Sequence, residues 1–321
     1  NDTATTEIYT QVNSSAASDV YKRQGGKTAV FHRRFFPDDV DATVAYVAPF
    51  MFSPADPRFE PYLRNTGTPE GRATIHDFQR RLLQRKEELL PIFGNWFPQN
   101  GLSNSLPLAP GFESAVVSYE WSYWQRHFFE YEDIPGPEAT GEEMVNHLAE
   151  VVRLHFDSDV YRDYFKAYIY QVLTETGSAK LEAPHLSDLL EEEDVDVRVS
   201  YSFPMDMEFV YRYESIPDVL QWAESEGDEI VYIYGEVDPW TAGQVELNGP
   251  ADAIKVIQPG ADHQVKILGL DPDLRDRVLE ALVSWLRLNI IYEAAAPQLS
   301  VPAYASLFGT PDDPTLDPIG F

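Results

Sequence analysis

The chain has 321 residues, enough for one large domain or a domain carrying an insertion, and 44% of them are hydrophobic, as in a protein with a packed core. Against 24 lysines and arginines stand 53 aspartates and glutamates, and the formal charge of −29 argues against nucleic acid and anionic membrane surfaces as partners. The absence of cysteine excludes disulfides, thiolate zinc sites and a cysteine nucleophile.

No apolar run approaches the roughly 18 residues needed to span a bilayer. The first residues lack the basic start and apolar centre of a signal peptide. The acidic balance is compatible with cationic ligands such as a free peptide amino terminus, although solubility or salt adaptation accounts for it more simply.

In chain order, a short helix is stopped by Pro37 and two aspartates. It is followed by VDATVAYVAPF (Val40 to Phe50), β-branched and nearly all apolar, the pattern of a strand covered on both faces. From Ser53 to Glu226 the period changes. Ile75, Phe78, Leu82 and Leu89 recur at helical steps, as do Val145, Leu148, Val152 and His155, which predicts His155 on an apolar helix face. Aromatic residues crowd SYEWSYWQRHFFEYEDIPGPE, a further helix ended by Pro135, Gly136 and Pro137. Strand patterns return at EIVYIYG (Glu229 to Gly235) and AIKVIQPG (Ala253 to Gly260), separated by a connection with room for one helical turn. Leu274, Val278, Leu282 and Trp285 then mark one face of a closing helix, before a proline-rich acidic tail.

Strands alternating with helices predict an α/β fold with a parallel sheet. The expected division is a sheet domain of residues 25–52 and 227–291, a mostly helical cap inserted at 53–226, and a loosely docked tail at 292–321.

Two loops stand out because each follows a buried strand. YGEVDPWTAG places Asp238 just past one strand, and PGADHQ places His263 just past the next. Active sites of open α/β sheets gather at the carboxyl ends of strands, so both side chains belong on the functional edge. A carboxylate can fix the tautomer of an imidazole and stabilise its protonated form, while the other ring nitrogen takes a proton from a serine. Their order suits the Ser, Asp, His sequence of α/β-hydrolases.

With GGKTAVFHRRFFPDDVDATVAYVAPF, YGEVDPWTAG and GADHQ together, the chain resembles the secreted bacterial prolyl tri- and tetrapeptidyl aminopeptidases, serine peptidase family thirty-seven of the α/β-hydrolase clan. The resemblance runs from about Gly25 to Ile291 and is looser in the middle. It implies an α/β-hydrolase fold, with Asp238 and His263 completing a triad, no cofactor, and a cap restricting access to free peptide amino termini. The implied activity is release of tri- or tetrapeptides from peptide amino termini, often after proline, through an acyl-enzyme. It also implies a secreted or cell-envelope location.

The departure from the pattern lies at the nucleophile. The family turn reads Gly-x-Ser-Lys-Gly-Gly; with Gly25 and Gly26 as its paired glycines, Arg23 occupies the serine position and Gln24 that of the lysine. A guanidinium stays protonated and offers no attacking atom. SAASDVYKRQ also resembles a translated sequencing-adapter string. Residues 1–24 are therefore expected to be non-native or disordered, with the nucleophile lost and only the later strands of the fold present. Such a chain is expected to be poorly soluble and inactive, since an uncovered strand edge recruits other chains. The alternatives are a catalytically dead peptide-binding protein in which Arg23 is genuine, and an esterase on the same fold.

Glu120, among Trp121, Tyr123 and Trp124, is a candidate for the substrate's α-ammonium, with Tyr119 and Trp124 as subsite walls; surface placement and core packing are their simpler explanations. Trp240 is expected to pack beside Asp238. Arg33 and Arg34 suit the negative end of their helix. His76, His127, His147 and His185 show no metal-ligand spacing, so no metal is expected. The acidic run Leu189 to Val197 lacks the pattern of a calcium loop.

Overall fold

The computed structural model describes residues 19–126, 129–191, 203 and 207–287, with side chains from residue 25 onward. In chain order its elements are helix α1 (Asp19–Phe35), strand β1 (Thr43–Tyr46), and helices α2 (Phe59–Leu63), α3 (Pro69–Gln84), α4 (Lys86–Gln99), α5 (Leu108–Arg126), α6 (Gly141–Val152) and α7 (Asp159–Gln171). Helix α8 (Ser215–Ser225), strands β2 (Ile230–Gly235) and β3 (Ala253–Gln258), and helix α9 (Pro272–Trp285) follow. The chain divides into two units. One contains the residues up to Phe50 and those from Glu214 on, and the other is Met51–Tyr213. The boundary therefore falls before α8, which groups with the sheet although the sequence reading put it with the helical middle.

The first unit is built on three parallel strands in the order β1-β2-β3, with Thr43 opposite Ile230 and Ile230 opposite Ala253. Each strand is a short apolar run, and every residue of β1 and β2 is buried, as expected of parallel strands covered on both faces. Strand β3 is half-exposed over most of its length. Among the described residues β1 pairs with β2 alone. Helix α1 packs on β1, α8 on α1, and α9 on β3. Val278, Leu282 and Trp285 of α9 are buried on the face that the spacing predicted, while Leu274, the first residue of that pattern, is half-exposed.

Arg33 does more than complement a helix terminus. It is only 7% exposed, donates to the carbonyls of Asp228, Pro37 and Val40, and pairs with the Glu229 carboxylate. One guanidinium thus ties the end of α1 to the chain entering β1 and β2, using the planar fork that lysine lacks. Beyond β1 the chain turns sharply at Val47, whose φ of 41° is unusual for a β-branched residue. Its N–H still donates to the Ile233 carbonyl at 2.8 Å, so the strain sits at the carboxyl edge of the sheet.

The second unit is helical. Thr68 caps α3 by accepting from the Gly71 N–H, with Pro69 at the first helical position, and Thr140 and Glu143 form a reciprocal capping box on α6. Helix α5 is buried from Gly111 to Arg126 except at Val117, and it packs against α3, α4 and α6. The periodic run that suggested one helix through Ile75 and Leu89 is broken at Arg85, between α3 and α4. The second run also ends early. Arg153 adopts a left-handed conformation (φ 51°) after Val152, which leaves His155 outside the helix and half-exposed instead of in the core. Among the described residues no helix is long and apolar enough to cross a membrane.

Candidate active site

Asp238 and His263 leave neighbouring strands at the same edge, three residues beyond β2 and five beyond β3. Their loops are stitched together past the sheet. The Glu236 N–H donates to the Gln258 carbonyl at 3.0 Å, the Val237 N–H to the Ala261 carbonyl at 3.0 Å, and the Gly260 N–H to the Glu236 carboxylate at 2.8 Å. Gly260 turns the second loop with a φ of 65°, a conformation favouring glycine. Gly235 closes the gap between the loops: a Cβ there would lie 2.3 Å from the Ala261 carbonyl oxygen and 2.4 Å from that of Asp262.

Asp238 also starts the 3-10 turn Pro239–Gly243, where its Oδ1 accepts from the Trp240 N–H at 3.2 Å. Thr241 donates its hydroxyl to the Gly235 carbonyl at 2.6 Å, fixing that turn against the end of β2. The remaining carboxylate oxygen, Oδ2, lies 2.6 Å from His263 Nδ1, and both side chains are fully buried. An ionised carboxylate only accepts hydrogen bonds, so Nδ1 carries the proton and Nε2 of the neutral ring carries the lone pair. That is the tautomer needed by a general base that takes a proton from a hydroxyl. Trp240 is buried beside the pair, consistent with its expected packing role.

The elbow expected around Gly25 and Gly26 is not formed. Both lie inside α1, which runs unbroken from Asp19 to Phe35, so the backbone at Arg23 is helical and not the tight strand-to-helix turn of a nucleophile elbow. The physical reason is local: Val20, Tyr21, Lys22, Arg23 and Gln24 contain no glycine to make that turn. Gly26 has a packing role. A Cβ on it would lie 2.2 Å from the Tyr46 carbonyl oxygen, so its bare backbone lets α1 approach β1.

Within the helical unit, Glu120 is not a surface residue. It is 6% exposed, and its carboxylate lies 3.1 Å from His76 Nε2. His76 stacks on His185 with ring centroids 3.7 Å apart. Burial lowers the pKa of His185 to about 4, helped by the nearby His76 and Arg80. Trp124 is core: its ring is 1% exposed, meets Tyr123 and Tyr131 edge-on, and fills the space over Gly67. It offers no surface to a ligand in this structure. Tyr119 is likewise buried, with its hydroxyl 2.7 Å from His147 Nε2. Burial lowers the pKa of His147 to about 4, partly offset by Asp133, so the ring that hydrogen-bonds with the phenol is neutral. His127 lies outside the described residues.

A protein-family model described as PS-10 peptidase S37 matches residues 7–305. The chain belongs to the peptidase S37 family. The resemblance carried by GGKTAVFHRRFFPDDVDATVAYVAPF, YGEVDPWTAG and GADHQ is therefore real, and the buried Asp238–His263 pair belongs to a chain of peptidase descent. Among curated relatives of the S37 chain is the prolyl tri/tetrapeptidyl aminopeptidase of Streptomyces mobaraensis, 27% identical over 269 residues. The aligned region is 82% of this chain and 56% of that enzyme, so the chain spans about half the length of the curated relative it matches.

Sequence reasoning found the two loop residues because each follows a recognisable strand. It missed the grouping of His76, Glu120 and His185, which are separated by 44 and 65 residues and carry no motif.

Proposed function

We propose that this S37 chain carries the acid–base half of a serine exopeptidase that releases tri- or tetrapeptides from free peptide amino termini, on an α/β-hydrolase framework. His263 is the general base and then the general acid, and Asp238 holds its tautomer and orientation. The observation that carries the reading is the fully buried 2.6 Å contact between Asp238 Oδ2 and His263 Nδ1 at the carboxyl ends of two parallel strands. The family match and the name of the Streptomyces relative support the reaction class.

In the full reaction a serine hydroxyl gives its proton to His263 Nε2 and attacks the scissile carbonyl. The tetrahedral adduct collapses as His263 returns the proton to the leaving amine, and water then repeats the cycle on the acyl-enzyme. Arg23 cannot supply that nucleophile. The chain as written is proposed to be catalytically silent, with the helical unit Met51–Tyr213 serving as the cap of an active form that is secreted or held in the cell envelope.

The test has two parts. Re-sequencing the encoding DNA across codons 20–26 is expected to read Gly-x-Ser-Lys ahead of Gly25. The serine-bearing enzyme is then expected to cleave proline-containing tripeptide anilides with a free amino terminus and to spare their acetylated forms. Turnover by the present chain, with arginine at position 23, would overturn the assignment of the missing nucleophile. Equal cleavage of free and acetylated substrates would remove the aminopeptidase mode, and a preference for acyl esters would make the fold an esterase.

A further inference from the structure

The geometry points to a divalent transition-metal site of the zinc class in the helical unit, held by His76 of α3, Glu120 of α5 and His185 of the 3-10 turn Pro184–Leu186. One nitrogen from each histidine and one carboxylate oxygen of Glu120 lie within 4.8 Å of one another. The His76 Nε2 to Glu120 Oε1 separation of 3.1 Å is close to the edge of a tetrahedral zinc site, about 3.3 Å for metal–ligand bonds near 2.0 Å.

The surroundings are built as a ligand set requires. Gln79, one turn beyond His76 on α3 and fully buried, donates its amide to the Val116 carbonyl at 2.8 Å, which turns its Oε1 toward His185. That oxygen lies 2.9 Å from His185 Nε2 and can only accept, so Nε2 carries the hydrogen and the neutral ring keeps its lone pair on Nδ1. A histidine whose far N–H is held by an oriented acceptor is the usual supporting arrangement of a metal ligand. Val116 and Glu120 are one turn apart on α5, as His76 and Gln79 are nearly so on α3, so two helix faces supply both ligands and support.

The nearby cation does not forbid a metal. Arg80 donates to the His185 carbonyl at 2.6 Å, and its charge is met by a two-pronged contact to Asp188 at 2.7 and 2.8 Å. The side chain of His76 is 32% exposed, which gives an ion a path in. Two imidazoles with a carboxylate favour zinc over calcium or magnesium, which take all-oxygen sites. Three protein ligands leave a position for water. The histidine rings, now stacked, must splay so that both lone pairs face one point; binding therefore separates the stack.

The site gives Glu120 a different cation from the α-ammonium expected of it, and it stands independently of the reading of Asp238 and His263. The test is titration of the tag-free, chelator-treated full chain with zinc chloride by calorimetry, with histidine ring resonances followed by NMR. One zinc per chain is expected, with shifted signals for His76 and His185. Glu120→Gln and His185→Ala should each weaken binding by about tenfold or more, and Gln79→Leu by a similar factor through loss of the supporting hydrogen bond. Glu120→Gln preserves shape, so a loss of binding with an unchanged circular dichroism spectrum is a loss of ligand and not of fold. No stoichiometric zinc binding, or binding that all three variants leave unchanged, overturns the proposal. So does saturation of Glu120 by a peptide ammonium in a protein that does not take up zinc.

Discussion

The sheet unit and the helical unit bury polar groups by opposite means. In the sheet unit the candidate pair is positioned by backbone: Asp238 and His263 sit on short loops fixed by ladder-like hydrogen bonds and by glycines that permit close approach. In the helical unit the polar contacts join side chains of separate helices. Lys86 of α4 reaches Glu113 of α5 at 2.6 Å, Tyr119 of α5 meets His147 of α6, and His76 of α3 meets Glu120 of α5. A backbone-positioned site tolerates side-chain change around it except at the glycines whose close approach it needs. A helix-to-helix network depends on every partner.

The largest effect that contrast predicts is catalytic. In a serine-bearing form, Asp238→Asn should keep the fold but lower kcat by about 10⁴-fold, because an amide no longer enforces the Nδ1–H tautomer. Steady-state kinetics with a proline-containing tripeptide anilide reads it, and a loss under tenfold would mean that the carboxylate does not orient His263.

Next is Lys86→Met, which leaves Glu113, 1% exposed, without its cation. A cost of about 3 kcal/mol is expected from an uncompensated buried charge, read as a lower urea midpoint with loss of exchange protection confined to residues 51–213. Gly26→Ala tests the sheet unit and should cost about 1–3 kcal/mol by overpacking against Tyr46. Helix propensity alone favours alanine by about 1 kcal/mol, so a stabilised variant would show that α1 does not approach β1 as described.

The smallest effect is a pH dependence. In the unfolded chain His147 returns to its ordinary value near 6.5, while in the fold it is lowered to about 4. Between those values the unfolded chain binds more protons, so the stability that neutral His147 contributes is fully present above pH 6.5 and is lost as pH falls toward 4. His147→Gln, which can still hydrogen-bond with Tyr119 in either direction, should flatten the drop in urea midpoint between pH 7 and pH 5. An unchanged drop would assign the acid sensitivity elsewhere.

The same contrast explains what was legible. Strands β1 to β3 and the loops after β2 and β3 could be read because a buried parallel strand is an apolar run and its functional residue follows within a few positions. The break at Arg85 could not, since no glycine or proline marks it and the apolar period continues across it. The role of Arg33 was only partly visible, because its acceptors near Asp228 lie 195 residues away. Glu120 reads from the sequence as a candidate for binding an α-ammonium or, more simply, as a surface glutamate; its burial and its imidazole neighbours are supplied by segments distant in sequence. The Gly25–Gly26 pair illustrates the reverse risk. A motif names the residues of a turn, while their local conformation depends on what precedes them, and here that is a helix-compatible run.

Gly235 has no functional group, yet the distance between the loops that carry Asp238 and His263 is set by the atoms it lacks. A single methyl there would push the Ala261–Asp262 backbone outward and carry the imidazole away from its carboxylate, with every chemical participant still present. A chain of this lineage can therefore lose the Asp238–His263 contact without losing either side chain, through a position that an inventory of reactive groups passes over.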